Sequence, residues 1–398
     1  MKFANATLPL KSIFTQSTTL MKLKKSLFHV TTVSLVLSFA GVFMQGNAQA
    51  LRLPDGGVNL KCKAGRTIGV TDIEVNWNAP GVKGREGKIW GTDIAPYGFT
   101  VLGFGSEVES PWRAGANEST TISFSTDVAI NGVPLAAGKY GFFIALYADS
   151  CTLIFNKNTE GWGSYFYNKG LDVLRVGVKQ QKEQPESRER LEFSFSRQTA
   201  ESVEMALEWE RWRIPFTIRV DLVQTTLAYI QTQLSGALGF DPPSLQAGAN
   251  WCLQNKVNTE QALQWINTAV NPFLGGAHSF GVYSIKAGLL SQMGKKAEAD
   301  SIMKAAIEMA SPTELHGYGR QLLAQGKKQE AMDVFKKNFQ KNKGAWPTQV
   351  GMMRGYSAMG DLKKALEHAK LALPQAPDEV NRRALEQAIK TLSEGKPL

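Results

Sequence analysis

The sequence predicts a two-domain chain, all-β and then all-α: an antiparallel β-sandwich or barrel followed by an α-α helical-hairpin repeat array. Three observations predict it. Between residues 60 and 222, short runs alternate apolar and polar residues with a period of two. Beyond Asp241-Pro242-Pro243 the apolar period becomes helical. Within that second half, Gly294, Gly326 and Gly360 recur 32 and 34 residues apart, and each is followed five residues later by Ala299, Ala331 or Ala365.

The N-terminus has the layout of a secretory signal. Met21-Lys-Leu-Lys-Lys is a positive start, Val30 to Phe43 is mostly apolar, and Ala48-Gln49-Ala50 is a small-x-small cleavage site. Residues 1–50 are therefore expected to be removed, with Met21 as the natural start. The expected location is periplasmic or secreted, with no stable membrane span after removal. The apolar run is short for an anchor.

Of 45 Lys+Arg and 35 Asp+Glu, five Lys lie in the signal. Residues 51–242 hold 20 basic and 22 acidic side chains, and residues 243–398 hold 20 and 13. The net charge of +10 thus belongs to the signal and the helical half. The Lys residues fall on turns and helix faces, as in Gly326-Lys-Lys, without the aromatic-interleaved basic stripe of a nucleic-acid binder. The expected partners include no nucleic acid. Three cysteines, Cys62, Cys151 and Cys252, make no disulfide framework. Either Cys62 joins Cys151, or all three are buried thiols.

In chain order, strands are predicted at Thr71–Trp77, Thr121–Phe124, Tyr140–Tyr147, Cys151–Phe155, Asp172–Val178, Leu191–Phe195, Val203–Trp209 and Ile214–Val220. Asn131-Gly132 is a tight hairpin turn, and Leu135 to Tyr140 is a second turn. Lys179 to Arg188 is polar throughout and reads as an exposed loop. The β-sandwich domain spans residues 51–222. Residues 223–242 are a linker or docking helix, and 243–398 are the repeats. In each hairpin the Gly ends the first helix and the small Ala lets the second approach it. This pattern resembles the tetratricopeptide repeat: well in the last unit (Tyr356, Gly360, Ala365, Ala372, Pro377), fairly in the third (Gly319, Ala331, Phe335), and poorly in the first, where Val257 stands at the turn. Asp378 to Glu394 is expected to cap the stack. Repeats of this kind bind peptides or proteins, or act as scaffolding.

Chemistry is constrained by histidine. His278, His316 and His368 lie in the helical half, and the β domain after the signal has none. An imidazole-based nucleophile there would need assembly across domains, and His-ligated zinc in the β domain is excluded. No phosphate loop, dinucleotide fingerprint or HExxH spacing occurs. No cofactor and no metal are expected. Carboxylate chemistry is left, from Asp93, Glu118 and Asp127, with Trp77, Trp90, Trp112 and Trp162 as stacking faces for a sugar. The competing reading puts these tryptophans in a sandwich core.

The most concentrated polar stretch is Pro111-Trp112-Arg113-Ala-Gly115-Ala116-Asn117-Glu118. One reading is structural: Trp112 covers the sandwich edge, Arg113 pairs with Glu118 across a turn at Gly115-Ala116, and Asn117 bonds the turn backbone. The other points Arg113 and Asn117 into a pocket with Lys83 and Arg85, to hold an anionic or hydroxylated ligand. The candidate ligand-binding residues are thus Trp112, Arg113, Asn117, Glu118, Lys83 and Arg85.

Residues 67–180 also resemble a family of exported bacterial domains of unknown function, family 2911, common in Bacteroidetes-like bacteria. The matching residues are Thr67-Ile-Gly-Val-Thr71, Lys83-Gly-Arg85, Trp90-Gly91, Pro96-Tyr-Gly98, Trp112-Arg113, Gly115-Ala-Asn-Glu118, Thr120, Phe124, Ala137-Gly138-Lys-Tyr140 and Phe155-Asn-Lys157. Residues 99–111 interrupt the usual short spacing before Trp112-Arg113. The resemblance implies architecture and export, and no reaction. The function expected is a non-catalytic ligand- or protein-binding or scaffold protein, the residue set leaning away from an enzyme. The alternative is a carbohydrate-active enzyme or carbohydrate-binding module.

Overall fold

The computed structural model describes residues 58–103 and 106–398; the signal segment expected at 1–50 lies outside the described residues. The β half comprises β1 (Leu60–Ile68), β2 (Thr71–Ala79), β3 (Thr100–Gly103), β4 (Ser106–Ser110), β5 (Thr121–Phe124), β6 (Val128–Ile130), β7 (Val133–Leu135), β8 (Gly138–Leu146), β9 (Cys151–Asn156), β10 (Asp172–Val178), β11 (Arg188–Ser196), β12 (Ser202–Glu210) and β13 (Trp212–Arg219). One antiparallel sheet runs β1-β2-β5-β8-β9-β10, and a second runs β11-β12-β13-β6-β7.

The two sheets pack face to face, as alternating patterning requires. Trp77 of β2 meets Phe193 of β11 at 5.1 Å between ring centroids, and Phe142 of β8 meets Phe216 of β13 at 5.9 Å. The β6–β7 hairpin turns at Asn131 (φ 47°) and Gly132 (φ 86°), both left-handed, as its Asn-Gly sequence demands. It is a sandwich with open edges. The cysteines are three free thiols. Strands β2, β5 and β8 separate Cys62 on β1 from Cys151 on β9, a span of about 19 Å at the usual strand spacing, beyond disulfide reach.

The helical half holds ten α-helices: α1 (Leu222–Leu234), α2 (Pro242–Asn255), α3 (Thr259–Thr268), α4 (Phe280–Gln292), α5 (Lys296–Met309), α6 (Pro312–Ala324), α7 (Lys328–Asn342), α8 (Trp346–Met359), α9 (Leu362–Ala372) and α10 (Glu379–Ser393). The segment expected to be a linker or a docking helix is helix α1, capped by Asp221, whose side chain accepts from the Gln224 amide. It packs Leu227, Ile230 and Leu234 against the α2–α4 core. Hairpins α2–α3, α4–α5, α6–α7 and α8–α9 follow, closed by α10. Gly294, Gly326 and Gly360 all take left-handed φ between 76° and 85° at the hairpin turns, and Ala299, Ala331 and Ala365 are buried. In the first hairpin, Lys256 and Asn258 take the left-handed conformation in place of glycine.

The third and fourth hairpins are locked by one ring. Phe335 of α7 is fully buried. A side chain added at Gly319 of α6 or Gly351 of α8 would run into the Phe335 ring, and one at Gly355 of α8 would run into Met332 Sδ and crowd the same ring. The three glycines thus let α6 and α8 close around a single phenylalanine, and α8 lies directly against α6.

Candidate functional site

The 111–120 loop extends the first sheet. Strand β8 is longer than its neighbour β5, and beyond Gly141 the loop takes over the exposed edge. Trp112 and Ile144 exchange both backbone hydrogen bonds, at 3.1 and 2.9 Å. Trp112 is buried, in edge contact with Trp90 and stacked at 6.2 Å on Trp209. It is core, as are Trp77 and, half-buried, Trp90, whereas Trp162 is exposed.

The expected Arg113–Glu118 pair does not form. Arg113 donates from Nη1 to the Asn117 carbonyl at 3.0 Å, and its guanidinium lies 5.5 Å from the Tyr165 ring centroid, beneath Gly163. Burial pulls the Arg113 pKa down, opposed by Tyr165. Glu118 instead accepts from Asn78 Nδ2 at 2.7 Å and pairs with Lys61 at 3.2 Å. Its own backbone amide, helped by bonds from Lys61 and Asn78, holds its carboxyl below the usual range. The physical reason is the turn: Ala114 (φ 51°) and Asn117 (φ 56°) are both left-handed and lead the two side chains to different neighbours. The Asn117 side chain accepts from Asn59 Nδ2 at 3.1 Å.

Lys83 and Arg85 sit in the turn after β2. The Lys83 amide donates to Glu189 on β11. The Arg85 guanidinium closes its own turn, donating to the Val82 and Gly81 carbonyls at 2.9 and 2.7 Å. No hydrogen bond or ion pair joins either residue to Arg113 or Glu118 among the described residues. The carboxylates proposed for sugar chemistry are likewise dispersed. Glu118 precedes β5, Asp127 follows it and accepts from the Ala137 amide, and Asp93 is exposed. Other guanidiniums of the β half are matched too. Arg175 binds Asp172 and the Tyr167 hydroxyl, and Arg213 reaches Glu204 at 2.7 Å and Glu208 at 3.2 Å.

The helical half differs at α6 and α8. His316 and Arg320 lie four residues apart, hence on one face of α6. Arg354 lies on α8 between Gly351 and Gly355, the positions that admit the Phe335 ring. Arg354 Nε and His316 Nδ1 are both buried without a hydrogen-bond partner. Burial, then the charges of Arg354 and Arg320, push the His316 imidazole down to about 4, against the pull of the Pro347 carbonyl. Burial and the Arg320 charge lower the Arg354 pKa. Among the described residues, no acidic side chain pairs with Arg320 or Arg354, whereas Lys337, Lys364 and Arg383 of the same half each hold an acid. Exposure rises along the cluster: His316 and Arg354 are half-buried and Arg320 is exposed. The six residues selected from sequence do not include this group. A signal was present: Arg320 and Arg354 are 34 residues apart, the repeat length, each six residues before a hairpin glycine.

Residues 61–218 match a family described as protein of unknown function (DUF2911). The match spans the β half. No curated protein matches the chain. Among solved structures, the crystal structure of YrrB, described as a TPR protein with an unusual peptide-binding site, is 15% identical. The match covers 42% of this chain and 90% of that one, with a TM-score of 0.25. At that score the likeness adds nothing to the hairpin geometry above. Among the described residues, no helix is long and apolar enough to cross a membrane.

Proposed function

We propose that the chain is a non-catalytic binding protein whose helical hairpins hold a segment of a partner protein, with the β-sandwich as its structural companion. The observation that carries this reading is the unmatched cationic face shared by α6 and α8. A stack of hairpins presents equivalent positions of successive repeats side by side. Here those positions hold Arg320 and Arg354, which the rest of the fold leaves without acids. In the β half, by contrast, Trp112, Arg113, Asn117, Glu118 and Arg85 are engaged in core packing, in turns and at the β8 edge.

The test is site-specific crosslinking in the native cell. A photoreactive residue at position 320 is expected to capture a defined partner that the same residue at Lys83 does not. Equal capture at both positions, or capture at 83 alone, would overturn the reading.

The signal layout extends the proposal to a location outside the cytoplasm. Mass spectrometry of the mature N-terminus is expected to find Leu51. A chain retaining residues 21–50 in the cytoplasmic fraction would contradict export.

A further inference from the structure

We propose that a cavity at the end of the β-sandwich, between the 181–186 segment and the β12–β13 turn, is a binding site for a guanidinium group, with Glu210 and Glu186 as its carboxylates. The site lies in the β half and does not depend on the protein-binding reading of the helical hairpins.

The cavity is built by a strap. Within the polar 179–188 loop, Gln181 and Arg213 exchange both backbone hydrogen bonds at 2.7 Å, and the Gln184 amide donates to the Arg211 carbonyl at 3.0 Å. The Arg211 guanidinium tightens the same contact, donating to the Gln184 and Pro185 carbonyls at 2.9 and 3.0 Å. The enclosed space is about 130 Å³, walled by Pro185 and Glu186 of the strap, Glu208 and Glu210 of β12, and Trp212 of β13. Trp212 is buried and stacked on Trp90 at 4.4 Å, which fixes that wall. A pocket for a whole small molecule measures ~300–1,000 Å³. This one has room for the head of a single polar group.

Charge decides the sign of that head. The cations that line or brace the cavity are committed. Arg188 binds Glu208 at 3.3 Å and Glu192 at 3.7 Å, and Arg213 binds Glu204 and Glu208. Lys182 pairs with Asp149 at 3.5 Å and lies over the Trp212 ring. Arg211 holds the strap carbonyls. The carboxylates are less evenly matched. Glu208 has both oxygens engaged, Oε1 by Arg213 and Ser194 and Oε2 by Arg188. Glu210 is 8% exposed, and its Oε1 accepts from the Gly87 amide in the turn after β2. Its Oε2 takes no donor, and no cation pairs with it, among the described residues. Glu186, exposed on the strap, has no partner among them either. A carboxylate buried this deeply is tolerated when a cation and further donors match it, and Glu210 has one backbone amide.

Geometry selects a guanidinium over an ammonium. Glu208, on the same wall, already receives two guanidiniums, one from β11 and one from β13. The planar fork of a third can give Glu210 Oε2 its missing donor and reach Glu186 with another edge, whereas an ammonium is a point charge.

This head is carried both by an arginine side chain on a polypeptide and by a free guanidino compound, and the experiment separates the two sources. The probe is the indole Nε1–H resonance of Trp212 in the full chain, assigned by its loss in Trp212→Phe. The ligands are a capped Gly-Arg-Gly peptide, the same peptide with citrulline as the uncharged isostere of arginine, the same peptide with lysine, and methylguanidinium, all at constant ionic strength.

The arginine peptide should shift the resonance saturably, and the citrulline peptide should leave it in place. The lysine peptide should bind about tenfold more weakly, the worth of one charge-assisted bond. Glu210→Gln keeps an acceptor for the Gly87 amide and the shape of the side chain, so it should fold, and it should weaken the arginine peptide by about tenfold or more. Glu186→Gln changes an exposed side chain that the fold does not use, and should weaken the peptide about threefold. Tighter binding of the arginine peptide than of methylguanidinium would assign the site to an arginine on a polypeptide, and equal binding would assign it to the free head. Both results support a guanidinium site.

Equal shifts with the arginine and citrulline peptides would overturn the recognition of charge, and the proposal with it. Equal binding of the lysine peptide would overturn the guanidinium assignment. A resonance that none of the four ligands moves, or arginine-peptide binding that neither Glu210→Gln nor Glu186→Gln weakens, would overturn the proposal outright.

Discussion

Arg113 and Arg354 are the same side chain, both partly buried, and the two halves of the molecule treat them differently. Arg113 lies under Gly163 with the Asn117 carbonyl as acceptor and the Tyr165 ring beside it. Arg354 lies between two glycines with an orphaned Nε and another arginine as its charged neighbour. A buried cation with partners is part of a scaffold, whereas one without them costs stability that the fold does not recover by itself. The contrast teaches that polar density in sequence is a poor guide to unsatisfied chemistry. In the richer motif, around Trp112, the charged groups find partners within the fold. The sparser pair, one repeat apart, carries the unsatisfied chemistry.

The comparison can be broken most forcefully through Phe335. If the glycine-lined packing of that ring sets the cationic face, Phe335→Ala should destabilise hairpins three and four by about 3–5 kcal/mol. Hydrogen exchange should show the loss in α6–α8 amides while β8 and β12 keep their protection. A loss spread equally over both halves would show that the helical site is not an independent packing unit.

Acidification sharpens the same contrast. The folded His316 value of about 4 lies below its ordinary 6.5, so between those pH values the unfolded chain binds a proton that the folded chain refuses. Stability from this group is present above the upper value and falls as pH drops through the window, by at most about 3 kcal/mol. Denaturation curves at neutral and acid pH should show this loss in the wild type and less of it in His316→Phe. An equal loss in the two proteins would remove His316 from the account. The smallest effect belongs to Glu118, a half-buried partner of Lys61 and Asn78. Glu118→Gln should cost about 0.5 kcal/mol, as exposed ion pairs do, and a much larger loss by thermal unfolding would restore a special role to that loop.

The fold was largely legible in the sequence for physical reasons. The eight strands expected from alternation are all present, because a sandwich imposes a period of two on strands with one buried face. Strand β1 escaped notice because it is an edge strand, Leu60-Lys-Cys-Lys-Ala-Gly-Arg-Thr-Ile68, mostly solvent-exposed and so weakly patterned. The short β6 and β7 were marked only by their turn. The hairpin glycines were legible because a left-handed turn leaves few alternatives. The Arg113–Glu118 expectation failed because nearness in sequence does not fix side-chain direction across two left-handed residues. The cationic face was written in the 34-residue spacing of Arg320 and Arg354, but its significance rests on what is missing around it, which only the packed neighbours reveal.

The central claim is that Arg354 is held at a cost and Arg113 is not. It is tested most directly by the local stability of two matched variants, Arg113→Met and Arg354→Met, measured by hydrogen exchange on the full chain without added anion. Arg113→Met should lower protection around the 111–120 loop by about 2 kcal/mol, through the lost bond and ring contact. Arg354→Met should leave α6 and α8 unchanged or raise their protection by up to about 1 kcal/mol, as replacing a half-buried charge that lacks a partner by an apolar side chain of similar length does. A loss at Arg354→Met as large as that at Arg113→Met would contradict the account, by showing that Arg354 already has the partners that hold it.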